Sequence, residues 1–104
     1  MCGIIAIVSF RNHDHNLSKL DEMGKMIAHR GPDDEGYALF DVNSNNYKIY
    51  YGDDTPENVG GSQLRFAPKV KYQYPGECFT VGLVHRRLSI IDLTSSGHQP
   101  MCDE

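Results

Sequence analysis

Three places in the sequence hold residue types that could do chemistry. Cys2 is the first. Removal of the initiator Met1, favoured where a small residue follows, leaves a cysteine that carries its own α-amino group. A thiol with an ordinary pKa of about 8.5 beside an α-amine of about 7.7–8.0 is a nucleophile with a general base attached. The amine takes the thiol proton and later hands one to a leaving group, so no histidine is required. The plain alternative is a small residue at an ordinary N-terminus, and for Cys2 taken alone that alternative prevails.

Arg87 is the second. Along the strand that carries it, Val81, Leu83, His85 and Arg87 share one face, and Gly82, Val84 and Arg86 the other. The first face holds the bulkier apolar side chains, so Arg87 is expected to point inward and Arg86 outward. A guanidinium facing an interior needs an anion, and a carboxylate matches its fork in a bidentate pair. The partner is either a substrate carboxylate or one of Asp33, Asp34 and Asp92, and the structural salt bridge is the blander choice. The third place is His29–Gly36, whose glycines, proline and acids could wall a pocket around an arginine; a solvated acidic turn is the rival reading. His13-Asp14-His15 has poor spacing for a metal, with no further His/Cys pair nearby, so no metal site is expected. Gly60-Gly61-Ser62 lacks the lysine and spacing of a phosphate loop.

The elements that must position these residues can be read from the same pattern. Cys2–Phe10 is apolar on both alternating faces and rich in β-branched residues, which predicts a strand covered on both sides. Leu17, Leu20, Met23, Met26 and Ile27 recur at helical spacing, with Asn16 at the N-cap position and Ser18 with Asp21 as a weaker cap. Pro32 turns Gly31 away from helical backbone, so His29–Gly36 is a loop. Gly36–Val42 and Tyr47–Tyr51 read as a hairpin around Asn43-Ser44-Asn45-Asn46. The proline- and glycine-rich stretch from Gly52 to Glu77 is a long excursion with one short strand near Lys69–Tyr74. Cys78–Val84 is a further strand that runs into His85-Arg86-Arg87. The class is α+β with antiparallel pairing.

Composition narrows the function classes. The 104 residues carry ten Lys+Arg against fourteen Asp+Glu, for a net charge of −4, and no basic cluster exceeds Arg86-Arg87. An electrostatic nucleic-acid binder is therefore not expected. The longest apolar run, Ile4–Val8, is far short of the roughly 18 residues of a membrane span and has no basic segment ahead of it. Three scattered cysteines, Cys2, Cys78 and Cys102, fit a reducing compartment, so the expected location is cytoplasmic.

Taken together, the motifs resemble one family. Met1-Cys2-Gly3-Ile4, then His29-Arg30-Gly31-Pro32-Asp33-Asp34-Glu35-Gly36, then His85-Arg86-Arg87-Leu88-Ser89-Ile90-Ile91-Asp92 with Gly97-His98-Gln99-Pro100-Met101 are similar to a class II glutamine amidotransferase domain. Within it, the glutaminase domain of asparagine synthetase is the nearest pattern. The tract from Asn43 to Glu77 carries no motif of that pattern and is longer than usual for it. The resemblance implies an N-terminal-nucleophile hydrolase fold, a four-layer αββα sandwich of antiparallel sheets, of which residues 1–104 would be the N-terminal half. It implies that Cys2 hydrolyses L-glutamine through a γ-glutamyl thioester and that ammonia passes to a C-terminal synthetase domain. Arg87 would clamp the glutamine α-carboxylate, Leu88, Ser89, Ile90 and Ile91 would line the pocket, and Arg30 and Gly31 would support the loop. ATP and Mg²⁺ would belong to the synthetase domain, with no cofactor in this chain. The family's oxyanion segment, Asn-Gly-Glu, is expected beyond Glu104. A chain without that segment has a rival description: a non-catalytic fragment or interaction module whose unpaired strand edges favour self-association.

Overall fold

The structure, a computed structural model, describes residues 2–9, 15–74, 76, 79–90 and 93–101, without the side chains of 15 and 16. The chain runs through β1 (Gly3–Val8), a 3-10 turn (His15–Lys19), α1 (Leu20–Met26), a second 3-10 turn (Ala28–Arg30), β2 (Asp34–Asp41) and β3 (Asn46–Tyr51). It continues through α2 (Glu57–Gly60), β4 (Val81–Arg87) and a third 3-10 turn (Ser95–Gly97). The four strands form one antiparallel sheet in the order β1-β4-β2-β3. The α+β class and the antiparallel pairing are as the sequence predicts.

The sheet has two unlike faces. On one, Ile5 and Ile7 of β1, Val84 of β4, Tyr37 and Leu39 of β2 and Tyr50 of β3 pack under Leu17 and Leu20. Leu17 is 1% exposed and Leu20 0%. Burying one such leucine contributes about 1.5–3 kcal/mol, so this contact fixes the helix against the sheet. Tyr72 closes that core, stacked on Tyr37 at 4.2 Å between ring centroids and edge-on to Tyr50 at 5.4 Å. The other face carries Ile4, Ala6 and Val8 beside Leu83 and Val81, then Ala38 and Phe40, then Ile49 and Tyr47. It lies partly open: Ile4 is 71% exposed, Val8 56% and Tyr47 54%, while Ala38 at its centre is buried. A cleft of about 280 Å³ between this face and Arg65, Phe66, Pro100 and Met101 is lined mainly by apolar side chains.

Several expectations change here. β1 is covered on one side, because α1 lies over the Ile5/Ile7 face only. The helical stripe is half right: Leu17 and Leu20 are core, whereas Met23 and Met26 face outward. The segment opens as a 3-10 turn before the α-helix, and its three-residue repeat shifts the phase of the stripe. The residue before α1 is Lys19 with no side-chain cap, so Asn16 is not its N-cap. Lys69–Tyr74 supplies a single bridge, Tyr51 to Lys71, rather than a strand. The hairpin forms as expected, with β2 extending back to Asp34. Cys78 and Cys102 lie outside the described residues, as do Asp92, Met1, His13 and Asp14.

Candidate active site

Antiparallel pairing brings the starts of β1 and β2 to the end of β4. Gly3 stands opposite Arg86, and Asp34 opposite Arg87. The register therefore gathers the three sequence motifs at one corner of the sheet. Cys2 is exposed, and its Sγ accepts the Leu88 backbone N–H at 3.5 Å. Arg30 Nε donates to the carbonyl of Cys2 at 3.4 Å, holding the chain ahead of β1. Thiol and guanidinium-bearing residue are neighbours in space, though far apart in sequence.

The loop between the second 3-10 turn and β2 is seated on β4. Gly31 is buried, and a side chain there would run into the backbone of Arg86 and Arg87. Its carbonyl accepts Arg86 Nε at 3.0 Å. Asp33 N–H donates to the Arg87 carbonyl at 3.1 Å, and Asp33 Oδ2 accepts the Ser89 N–H at 2.8 Å. Asp33 thereby fixes the chain just past β4, where Leu88 and Ser89 are half-buried and Ile90 is 75% exposed. Ile91 lies outside the described residues.

The two arginines exchange the orientations read from alternation. Arg86 is 1% exposed and points into the helix-covered core. It pairs with Glu35 through Nη1 and with Asp54 through Nη2, the latter at 2.7 Å. Burial pulls its pKa down, but the hydrogen bond to Asp54 and the charges of Glu35 and Asp54 outweigh that and hold it above its ordinary value. Tyr37 donates to Glu35 Oε1 at 3.1 Å, and burial with the Glu35 charge raises its hydroxyl pKa. Arg87 is half-buried on the opposite, more open face. The bulky side of β4 proves to be the open one, because Gly82 on the buried side leaves room for Leu17 and Leu20 to descend onto the sheet.

The guanidinium of Arg87 lies against Gly97. The next residue, His98, is 1% exposed and donates from Nδ1 to Asp34 Oδ2 at 2.7 Å. His85, two residues before Arg87, has its pKa lowered, first by burial and then by the charges of His98 and Arg87, against an opposing pull from Asp34. Asp34 and Glu35 are 2% and 4% exposed, so these two acids are not part of a solvated turn, whereas Pro32 and Asp33 ahead of them are exposed. The Glu35–Arg86–Asp54 network and the Asp34–His98 pair escape the sequence reading, since their partners lie 51, 32 and 64 positions apart. Among the described residues, no group of three His, Cys, Asp or Glu side chains comes together at metal-binding distance. No described helix is long and apolar enough to cross a membrane.

This corner, with a thiol, an arginine and a pinned backbone turn, suits nucleophilic attack on a substrate that carries a carboxylate. The chain is similar to an asparagine synthetase. A protein of Methanocaldococcus jannaschii, provisionally named asparagine synthetase (glutamine-hydrolyzing) 2, is 35% identical to it over 101 residues. The match takes in 97% of this chain and 13% of that protein, so the chain spans a small part of the relative's length. It includes the loop seated on β4 and β4 itself. No family model and no solved structure matches the chain.

Proposed function

We propose that this chain is the front part of a class II glutamine amidotransferase of the asparagine-synthetase type, with Cys2 as its nucleophile. The observation that carries the reading is the seating of the Cys2 thiol on the Leu88 N–H, one residue from Arg87. Once Met1 is removed, the α-amine of Cys2 takes the thiol proton. The sulfur attacks the side-chain amide carbon of glutamine, forming a C–S bond. The C–N bond breaks as the ammonium returns its proton to the departing nitrogen, which leaves as ammonia. Water then cleaves the thioester, releasing glutamate and restoring the thiol.

In this reading Arg87 binds the α-carboxylate of glutamine in a bidentate pair. Leu88, Ser89, Ile90 and Ile91 line the same pocket, while Arg30 and Gly31 keep the loop in place. The open apolar face supports taking this sheet as one layer of an N-terminal-nucleophile sandwich, since an apolar sheet face of this size calls for a partner layer. The oxyanion donors, the ammonia acceptor, and the ATP and Mg²⁺ chemistry are assigned to a synthetase-containing remainder outside residues 1–104, in a cytoplasmic enzyme.

The test is glutamate release from glutamine by the full-length protein. Wild type is expected to be active and Cys2→Ala to fall to background; equal rates in the two overturn the assignment. Diazo-oxo-norleucine, a glutamine-like electrophile, is expected to add once, at Cys2, as read by mass. An unlabelled protein with no glutaminase activity would instead favour the non-catalytic interaction module.

A further inference from the structure

We propose that Asp34 and His98 form a positioning pair for Arg87, setting the affinity of the site for its substrate's carboxylate. The proposal rests on the reading of Arg87 as the carboxylate clamp. An arginine that binds a carboxylate must give up rotamer freedom on binding unless its side chain is already held. Here the guanidinium occupies the space that a side chain at residue 97 would need: a Cβ on Gly97 would meet Cζ and both terminal nitrogens of Arg87. The backbone of 97 is thus one wall of the clamp, and whatever holds that wall limits where the guanidinium can lie.

His98 ties that wall to the sheet by a hydrogen bond. Its ring is buried, and Nδ1 donates to Asp34 Oδ2 at 2.7 Å. Asp34 is the cross-strand neighbour of Arg87, so one carboxylate links the turn to the position beside the arginine. Within the turn, Gly97 N–H donates to Thr94 O at 3.1 Å and His98 N–H to Ser95 O at 3.2 Å, and the Ser95 and Ser62 hydroxyls are hydrogen-bonded to each other. Downstream, the Gln99–Pro100 peptide lies directly over Gly36 and fills the space of an absent side chain. Asp34 Oδ1 is buried with no hydrogen-bond partner among the described residues. Loss of His98 therefore leaves that carboxylate without its hydrogen bond, an expensive state for a buried charge.

The experiment uses the full-length protein and two substrates, glutamine and glutaminamide, which lacks the α-carboxylate. His98→Ala is expected to raise KM for glutamine about tenfold or more, with kcat within about threefold, and to leave glutaminamide hydrolysis within about twofold of wild type. His98→Asn, whose amide N–H can stand where Nδ1 stands, is expected to return most of the glutamine affinity. An equal loss on both substrates, or no loss on either, overturns the pair's positioning role. Arg87→Ala reads the clamp separately: a glutamine KM unchanged from wild type overturns that reading, whatever His98 does. Should His98→Ala fail to fold, Gly97→Ala puts a methyl group where the guanidinium lies. The same glutamine-specific rise in KM is expected from it, and its absence overturns the proposal.

Discussion

Arg86 and Arg87 leave β4 on opposite faces, and their surroundings give them opposite tasks. Arg86 is enclosed with Glu35, so removing it strands a buried carboxylate. Arg86→Leu is expected to cost about 3–5 kcal/mol, read as a fall in the urea midpoint, whereas Arg86→Met combined with Glu35→Gln recovers most of that loss. If the single substitution costs no more than the double, the pair is not the internal anchor described. His85 gives the pH dependence. Its folded pKa lies below the unfolded value of about 6.5, so its contribution is fully present above that pH and is lost as pH falls through the folded value. His85→Gln, facing the same Asp34, His98 and Arg87, is expected to flatten the decline of stability below about pH 6.5; an unchanged slope counts against the assignment. Alternation correctly separated the two arginines onto different faces. It could not say which face the helix covers, because that depends on how Gly82 admits Leu17 and Leu20, a contact between segments more than sixty residues apart.

Among the elements, the β2–β3 hairpin was the most legible, since its turn is written in local chemistry. Asp41 accepts the Asn43 N–H at 3.1 Å and the Ser44 hydroxyl at 2.6 Å, and the Ser44 bond leads in holding its carboxyl below the ordinary range. Asn45 has φ 55, in the left-handed region. Asn45→Gly should therefore be neutral or slightly stabilising, and Asn45→Val should cost about 1–2 kcal/mol by thermal or urea unfolding. Equal stabilities would mean the turn does not hold that conformation. The stretch from Gly52 onward was not legible. The one α-helix among its described residues, α2, has four residues and buries only Val59, too little to leave a periodic trace. The candidate site falls between these cases. Its motif residues were readable one at a time, but their convergence depends on the β1–β4 and β2–β4 registers, which no local pattern encodes.

For the whole molecule, the contrast between the two sheet faces is the main feature. One is sealed by Leu17, Leu20 and Tyr72, and the other exposes Ile4, Val8 and Tyr47. If a second layer covers that face in the full-length protein, Val8→Asp there should cost at least about 2 kcal/mol of stability. A change within about 0.5 kcal/mol, as at an ordinary surface position, would mean that nothing packs on it. The strand order has a further consequence. β4 is central in the sheet yet last of the four to be synthesised, and it must enter between β1 and β2. Until it does, β1 lacks its neighbour and the hairpin has no link to it. Closing those distant pairings is entropically slow. During translation, Cys2 therefore waits until β4, some eighty residues further on, has been made before its surroundings exist, and the corner assembles in one step rather than by degrees.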